Sequence, residues 1–354
     1  MRTQLCFLAI VALIFGFGIV TVRAEDQPQF SEEVELCLSC HNDPSLEMEL
    51  PGGTISVNVD PKIFRNSVHG EKLNCTDCHT NITDYPHPEN HFKNRRELNL
   101  ALYESCKRCH FDNYTKTLEG IHYHLLAKGD SRAPTCVDCH GSHEISKPDQ
   151  PKSKISQTCK RCHEQVYQTY IKSVHGKALV NGGNIDVPVC VDCHQAHDIE
   201  DPRTNSFLLR TPQLCGQCHS DKILMKKYGL STQVVETYLQ DFHGVSTTFH
   251  RTEGKATNRW KAVCTDCHGV HDIAAVKDEN SPVLKANLVA TCRKCHPDAT
   301  TDFPDAWLSH YEPSPSKAAS VYYVKLFYKF FIPFTIGGLV LHILLHIWRI
   351  ATNR

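Results

Sequence analysis

Two long apolar stretches bracket a chain whose interior is polar almost throughout. The first, Thr3 to Val22, is uncharged, follows Arg2 and leads into Val22-Arg23-Ala24. A basic start, an apolar centre and a small-residue cleavage site predict a secretory signal peptide over residues 1–24; the same stretch is also long enough for an uncleaved anchor. The second, Phe330 to Trp348, holds nineteen uncharged residues between Lys329 and Arg349. As a helix it measures about 28 Å, against a hydrocarbon core of about 30 Å. Tyr322, Tyr323, Phe327 and Tyr328 precede it as an aromatic approach, Trp348 marks its far interface, and Pro333 is expected in its first turn. Residues 321–354 therefore read as an amphipathic approach, a transmembrane helix and a short cytoplasmic tail. Export of the preceding part makes this a single-pass protein of the inner (cytoplasmic) membrane, with residues 25–320 in the periplasm.

Between these ends the pattern predicts little regular structure. Leu50-Pro-Gly-Gly-Thr-Ile-Ser-Val-Asn-Val-Asp60 alternates like a short strand pair around a Gly-Gly turn. Elsewhere the expected fold is mainly irregular and α, with short helices joined by loops. Apolar runs are too few for an ordinary core, so something else must fill the interior.

The cysteines say what. Cys-x-x-Cys-His occurs nine times, beginning at Cys37, Cys75, Cys106, Cys136, Cys159, Cys190, Cys215, Cys264 and Cys292. Random placement of 19 cysteines and 23 histidines would give about 0.07 such motifs. The pentapeptide is the attachment signature of c-type haem, in which two thiols bond one porphyrin edge and the adjacent histidine ligates the iron. The second thiols are Cys40, Cys78, Cys109, Cys139, Cys162, Cys193, Cys218, Cys267 and Cys295. The proximal histidines are His41, His79, His110, His140, His163, His194, His219, His268 and His296. Only Cys6 is left over. Zinc ribbons would need the pairs to combine in twos, and a disulfide scaffold has no use for a histidine after every pair. Nine covalent haems c, stacked along residues 25–320, supply the missing interior.

The motifs alternate. Those at Cys75, Cys136, Cys190 and Cys264 carry Asp before the second cysteine, whereas those at Cys106, Cys159 and Cys292 are basic there. Ser-Val-His69-Gly, Ser-Val-His175-Gly and Asp-Phe-His243-Gly precede Asp-type motifs. Gly-Ser-His143-Glu-Ile, Gln-Ala-His197-Asp-Ile and Gly-Val-His271-Asp-Ile follow them. The chain is thus four two-haem repeats plus one haem.

Twelve histidines outside the motifs and the membrane segment compete for nine distal positions, and the only methionines are Met1, Met48 and Met225. Bis-histidine ligation throughout is the expectation. His69, His175 and His243 are expected to serve the haems at Cys75, Cys190 and Cys264. His143, His197 and His271 are expected to serve those at Cys106, Cys159 and Cys215. His122 or His124 falls to Cys136, His87 or His91 to Cys37, and His310 to Cys292; His250 is the third spare. Saturated iron favours electron transfer over substrate chemistry. The alternative is a reductase of a nitrogen or sulfur oxyanion using one open haem.

Charge and the membrane segment add partners. The six Lys and Arg outside residues 25–324 leave 32 against 39 acidic residues within them, a formal −7 before haem propionates are added. Nucleic acid is excluded as a partner, and basic faces of periplasmic cytochromes are favoured. His342 and His346, four apart, share one face of the C-terminal helix. Intramembrane histidines are functional candidates, here for a haem b shared with a membrane partner or for a quinone site.

The recurring Ser-Val-His-Gly, Cys-x-Asp-Cys-His and His-Asp-Ile elements resemble the doubled Cys-x-x-Cys-His (cytochrome c3-like) multihaem cytochromes of anaerobic respiratory bacteria, from about His41 to His310. The resemblance implies an electron-transfer subunit partnered by a membrane cytochrome b or another quinone-reactive protein, linking the quinone pool to periplasmic carriers. The quinol-oxidising tetrahaem relatives carry an N-terminal anchor and four haems; here the anchor is C-terminal.

Overall fold

A computed structural model of the chain describes residues 30–87, 91–253, 262–306 and 310–352. The expected signal peptide and Cys6 lie outside the described residues, as do the last two residues of the tail. The described chain is a succession of short helices and loops, with one two-stranded sheet and one long C-terminal helix. It divides into two compact units, residues 30–95 with 143–146, and residues 96–142 with 147–352.

In the first unit, helix Glu32–His41 starts at Ser31, whose hydroxyl accepts from the Val34 amide, and three glutamates occupy its first turn. It buries Val34 and Leu38, four apart on one face, against Phe64 of helix Pro61–Asn66. Strands β1 (Glu47–Met48) and β2 (Ile55–Ser56) form the expected hairpin, with Met48 opposite Ile55. Its first strand begins before Leu50, because Leu50 is buried and Pro51, Gly52 and Gly53 make the turn, Gly53 at a φ of 120°.

The two motif types occupy opposite ends of helices. Every Asp-type motif begins one, at Cys75–Cys78, Cys136–His140, Cys190–His194 and Cys264–His268. The aspartate falls at the third helical position and accepts from the amide preceding the first cysteine. These bonds are Asn74 N to Asp77 at 2.8 Å, and Thr135, Val189 and Val263 N to Asp138, Asp192 and Asp266 at 2.7 Å. This is the acidic half of a capping box, and it works even where the cap residue is Val. The other motifs end their helices: Glu32–His41, Tyr103–Lys107, Ser153–Lys160, Asn205–His219 and Leu288–Arg293. Lys107, Lys160 and Arg293 lie in those last turns, where the dipole favours cations.

The other repeated elements also have backbone reasons. Ser67, Ser173 and Asp241 accept from the amides of Gly70, Gly176 and Gly244 at 2.9–3.0 Å. A Cβ on each glycine would collide with the carbonyl oxygen six residues earlier, of Phe64, Tyr170 and Tyr238. The residue before each repeated histidine is held as well. The Val68 amide donates to the Ile145 carbonyl, Ile121 to Ile199 and Val174 to Ile273, each at 2.8 Å. Each bond clasps one histidine-bearing segment to another that lies far along the chain.

Helix Ala319–Thr352 has 34 residues and a mean hydropathy of 2.0 over its most apolar window, and none of that window is buried. It absorbs the aromatic approach into one continuous helix. Pro333 consequently sits inside the helix and not in its first turn, leaving the Lys329 carbonyl without its usual amide donor.

Two outcomes test this account of the repeats. Gly176→Ala, which drives a methyl into backbone, should destabilise the protein by about 2 kcal/mol or more, while Gly337→Ala, in open space, should be neutral in the same thermal melts. Asp192→Ala should cost about 1 kcal/mol and speed amide exchange across residues 190–194 roughly fivefold; an unchanged rate would mean the cap is idle.

Candidate functional site

Each motif delivers a histidine, and a second histidine ring faces eight of the nine. In the first unit His41 faces His87 at 6.1 Å between ring centres, and His79 faces His143 at 6.1 Å. In the second unit the pairs are His163 with His122 (6.2 Å), His140 with His197 (6.2 Å), His194 with His271 (6.0 Å), His219 with His175 (6.3 Å), His268 with His310 (6.1 Å) and His296 with His243 (6.3 Å). Rings in van der Waals contact would lie much closer. A metal between two ring nitrogens accounts for the spacing: two bonds of about 2.0 Å, plus about 1.1 Å from each nitrogen to its ring centre, give roughly 6.2 Å. The donor set beside each pair, two thiols one helical turn from the proximal ring, fits covalent haem. Among the described residues no three His, Cys, Asp or Glu side chains converge as a metal cluster would require.

Eleven of these rings are held in the form that binds metal. Burial pushes His79 and His175 down to about 4, and the facing imidazole of His143 or His219 adds to the effect. Burial likewise lowers His122, His140, His143, His194, His197, His219, His268, His271 and His310. Neutral imidazole is the ligand form. His41 is also oriented: its Nδ1 lies 2.8 Å from the Val57 carbonyl oxygen, which can only accept, so Nδ1 carries the proton and Nε2 is left for a metal. Asn58 and Val59 bond the His41 carbonyl, so the segment after β2 grips this residue at three points.

The expected partition of distal histidines is corrected. His175 faces His219, at the Cys215 motif, and not the motif at Cys190; His243 faces His296 and not the motif at Cys264. His143, His197 and His271 face the Asp-type motifs at Cys75, Cys136 and Cys190, and not those at Cys106, Cys159 and Cys215. His310 faces His268, not His296. His122 faces His163 rather than the Cys136 motif. The clasps are the physical reason. Joining Val174 to Ile273 sets His175 and His271 on adjacent backbone, from which they serve two different motifs. Nearness in sequence does not decide the pairing.

Of the alternatives, His87 takes the place beside His41, while His91 and His124 are exposed. His250 packs edge-on against Phe249, and its buried Nδ1 has no hydrogen-bond partner among the described residues. His69 is held through its backbone, accepting from Lys72 and Leu73, and His110 begins helix Phe111–Glu119. His342 and His346 lie exposed in the C-terminal helix.

Several residues outside the motifs were not foreseen. Arg96 donates to Asp138 at 2.9 Å and to the Ala133 carbonyl. Burial opposes ionisation of Asp138, but the bonds from Thr135 and Arg96 hold its carboxyl below the ordinary range. Lys152 donates to the carbonyls of Ile185 and Val187 and lies 3.4 Å from Asp192. Neither basic residue has a sequence signal. The clasp isoleucines had one, in the repeated His-x-Ile.

Successive motifs neighbour one another. In the first unit the sulfurs of Cys37 and Cys75 lie close enough to interact. In the second, so do those of Cys106 and Cys136, Cys159 and Cys190, and Cys215 and Cys264. Cys139 and Cys162, Cys193 and Cys215, and Cys267 and Cys292 lie within electrostatic range of each other. The seven motifs of the second unit therefore neighbour one another in chain order.

Comparison with known proteins agrees with this geometry. The cytochrome c3 family model matches residues 128–220, and the model for cytochrome c7 and related cytochrome c matches residues 62–141. The multiheme cytochrome MtrA of Shewanella baltica (strain OS185) is 24% identical over 197 residues, covering 52% of each chain. The chain thus spans about half the length of this curated relative. No solved structure matches it. Motifs that place two thiols and a histidine together, rings spaced for an iron between them, and family matches across the middle of the chain have one common explanation: the protein is a multihaem c-type cytochrome.

Proposed function

We propose that this cytochrome is an electron wire of nine covalent haems c. In this reading it is anchored in the inner membrane by its C-terminal helix, with residues 25–320 in the periplasm. It relays electrons between a quinone-reactive membrane cytochrome b and periplasmic redox partners during anaerobic respiration. The observation that carries this reading is the set of facing histidine rings at 6.0–6.3 Å. Each bound haem supplies a one-electron carrier. The facing histidines would saturate its iron from both sides, and the adjoining motifs would bring neighbouring carriers close. A saturated iron has no position for substrate, which suits conduction more than catalysis. The resemblance to multihaem cytochromes, and an acidic exported part that suits basic redox partners, support the same reading.

His342 and His346 are the proposed contact with the membrane partner, through a shared haem b or a quinone site. His342 lies about 18 Å along the helix from Phe330, in the cytoplasmic half under the proposed topology. A second haem b nearer the periplasmic face of the partner would then complete the route to the haems c.

Several measurements test the proposal. The pyridine haemochrome of the purified protein should give nine haems c per chain, and co-purification from detergent should bring b-type absorbance with it; a preparation free of haem b counts against the partner. The oxidised protein should be low-spin throughout, whereas a high-spin signal in the unmodified protein would favour the reductase. His175→Ala should create one high-spin haem, and that signal should vanish when Cys215 and Cys218 are also replaced but persist when Cys190 and Cys193 are. The reverse dependence would restore the partition read from the sequence. Ring angles of 49–55° for His175–His219 and His243–His296, against 10–29° for the other six pairs, should separate two haems from the rest as a more anisotropic low-spin signal.

A further inference from the structure

Helix Asn205–His219 ends on the Cys215 motif, yet its first turn serves the motif before it. Thr204 caps this helix, its hydroxyl accepting from the Phe207 amide at 3.2 Å. Phe207 is buried, and its ring lies parallel to that of His194, with 4° between the planes and 5.5 Å between the centres. This is the offset-stacked arrangement of aromatic pairs. Phe64, by contrast, meets His143 edge-on at 79°, and Phe303 meets His296 at 41°. The Phe207 ring is itself held, because the Arg210 guanidinium lies over it at 5.9 Å. Arg210 is paired in turn with Glu200, which follows Ile199, the residue whose carbonyl closes the clasp with Ile121.

On the proposed ligation His194 and His271 face each other across the iron at the Cys190 motif, at 6.0 Å and with 29° between their planes. A histidine bonded to iron through one ring nitrogen keeps one freedom, the turning of its plane about that bond. The turn matters, because the planes of the two ligands set the energies of the iron orbitals that hold the transferred electron. Groups behind a ligand orient it and so tune the metal. At His41 the Val57 carbonyl does this through Nδ1. At His194 a flat apolar wall is in place for the same task. Rotation of the imidazole out of the parallel would drive its edge against the phenyl face, and a close-packed interior resists that. Ligand and wall stand on two helices, Cys190–His194 and Asn205–His219, so neither depends on a loop for its place.

We propose that Phe207 is a positioning residue for the haem at Cys190, holding the plane of His194 and with it the electronic state of the fourth of the seven motifs in the second unit. The proposal rests on the bis-histidine reading of that site, and the experiment separates the two.

Low-temperature EPR of the oxidised, haem-loaded full chain reads each low-spin haem through g values that follow the angle between its ligand planes. For Phe207→Leu the expected result is a difference spectrum, against the unmodified protein, that integrates to one haem. Thermal stability should fall as well, as for any buried truncation. Phe207→Met, nearer in volume and also without a flat ring, should move the same signal. Phe207→Tyr, which keeps the ring, should leave it in place. The signal that moves should be the one lost from the low-spin spectrum in His271→Ala. Lowered stability in the Leu and Met variants with every signal unchanged would overturn the proposal and leave Phe207 a packing residue alone. So would movement of a signal that survives His271→Ala, or a Tyr variant as altered as the Leu one. A His271→Ala protein still low-spin throughout would overturn the ligation reading together with the proposal.

Discussion

An iron between two imidazoles would hold two ring centres about 6 Å apart, the spacing seen in eight pairs, and nearly everything else in this protein serves that requirement. One ring comes with the thiols and is placed by the motif helix. The other must arrive from elsewhere, and the chain must bring it to the opposite face. A protein with so little apolar sequence cannot do this by burying side chains. The work falls to backbone hydrogen bonds: caps that start the Asp-type helices, caps before the repeated glycines, and clasps that tie one histidine-bearing segment to another.

These devices produce two kinds of junction that alternate along the chain. Within a repeat, the first cysteines of the two motifs lie side by side, so haems attached to them would have neighbouring edges. Between repeats, the clasp sets side by side the second histidines of an Asp-type motif and of the motif that follows it, as with His271 and His175. Neither junction uses a large side chain. Close spacing of carriers follows from sulfur chemistry in one case and from a single amide–carbonyl bond in the other.

Much of this was legible in the sequence. The motifs, their alternation, the hairpin, the long apolar C-terminal helix and the identity of the repeated elements could all be read, because each rests on local chemistry. The aspartate marked a helix start and the Lys-Arg pair a helix end, although sequence alone showed only that they differed. What could not be read was which histidine meets which motif. His175 lies nineteen residues before His194 and forty-four before His219, yet it faces the latter. Proximity along the chain was the wrong measure, since the deciding bond joins Val174 to Ile273. The useful signal was the apolar residue ahead of each histidine. Ile121 marks His122 over His124 in the same way that Val174 marks His175, though the glycine of the other copies is missing there.

The backward reach of the His-x-Ile elements has a consequence for how the protein is made. On the proposed export, the chain would emerge from its N-terminus and haem would be attached outside the cytoplasm. On the proposed ligation, a haem at the Cys190 motif would have His194 at once but would wait seventy-seven residues for His271. Each Asp-type site is in this sense left ajar during secretion and is shut by a segment of the next repeat or of the tail. The last of them, at His268, would be shut by His310, nine residues before the proposed membrane anchor begins. Maturation would then proceed as a row of latches closing in order behind the moving chain, the final one only as the protein comes to rest in the membrane.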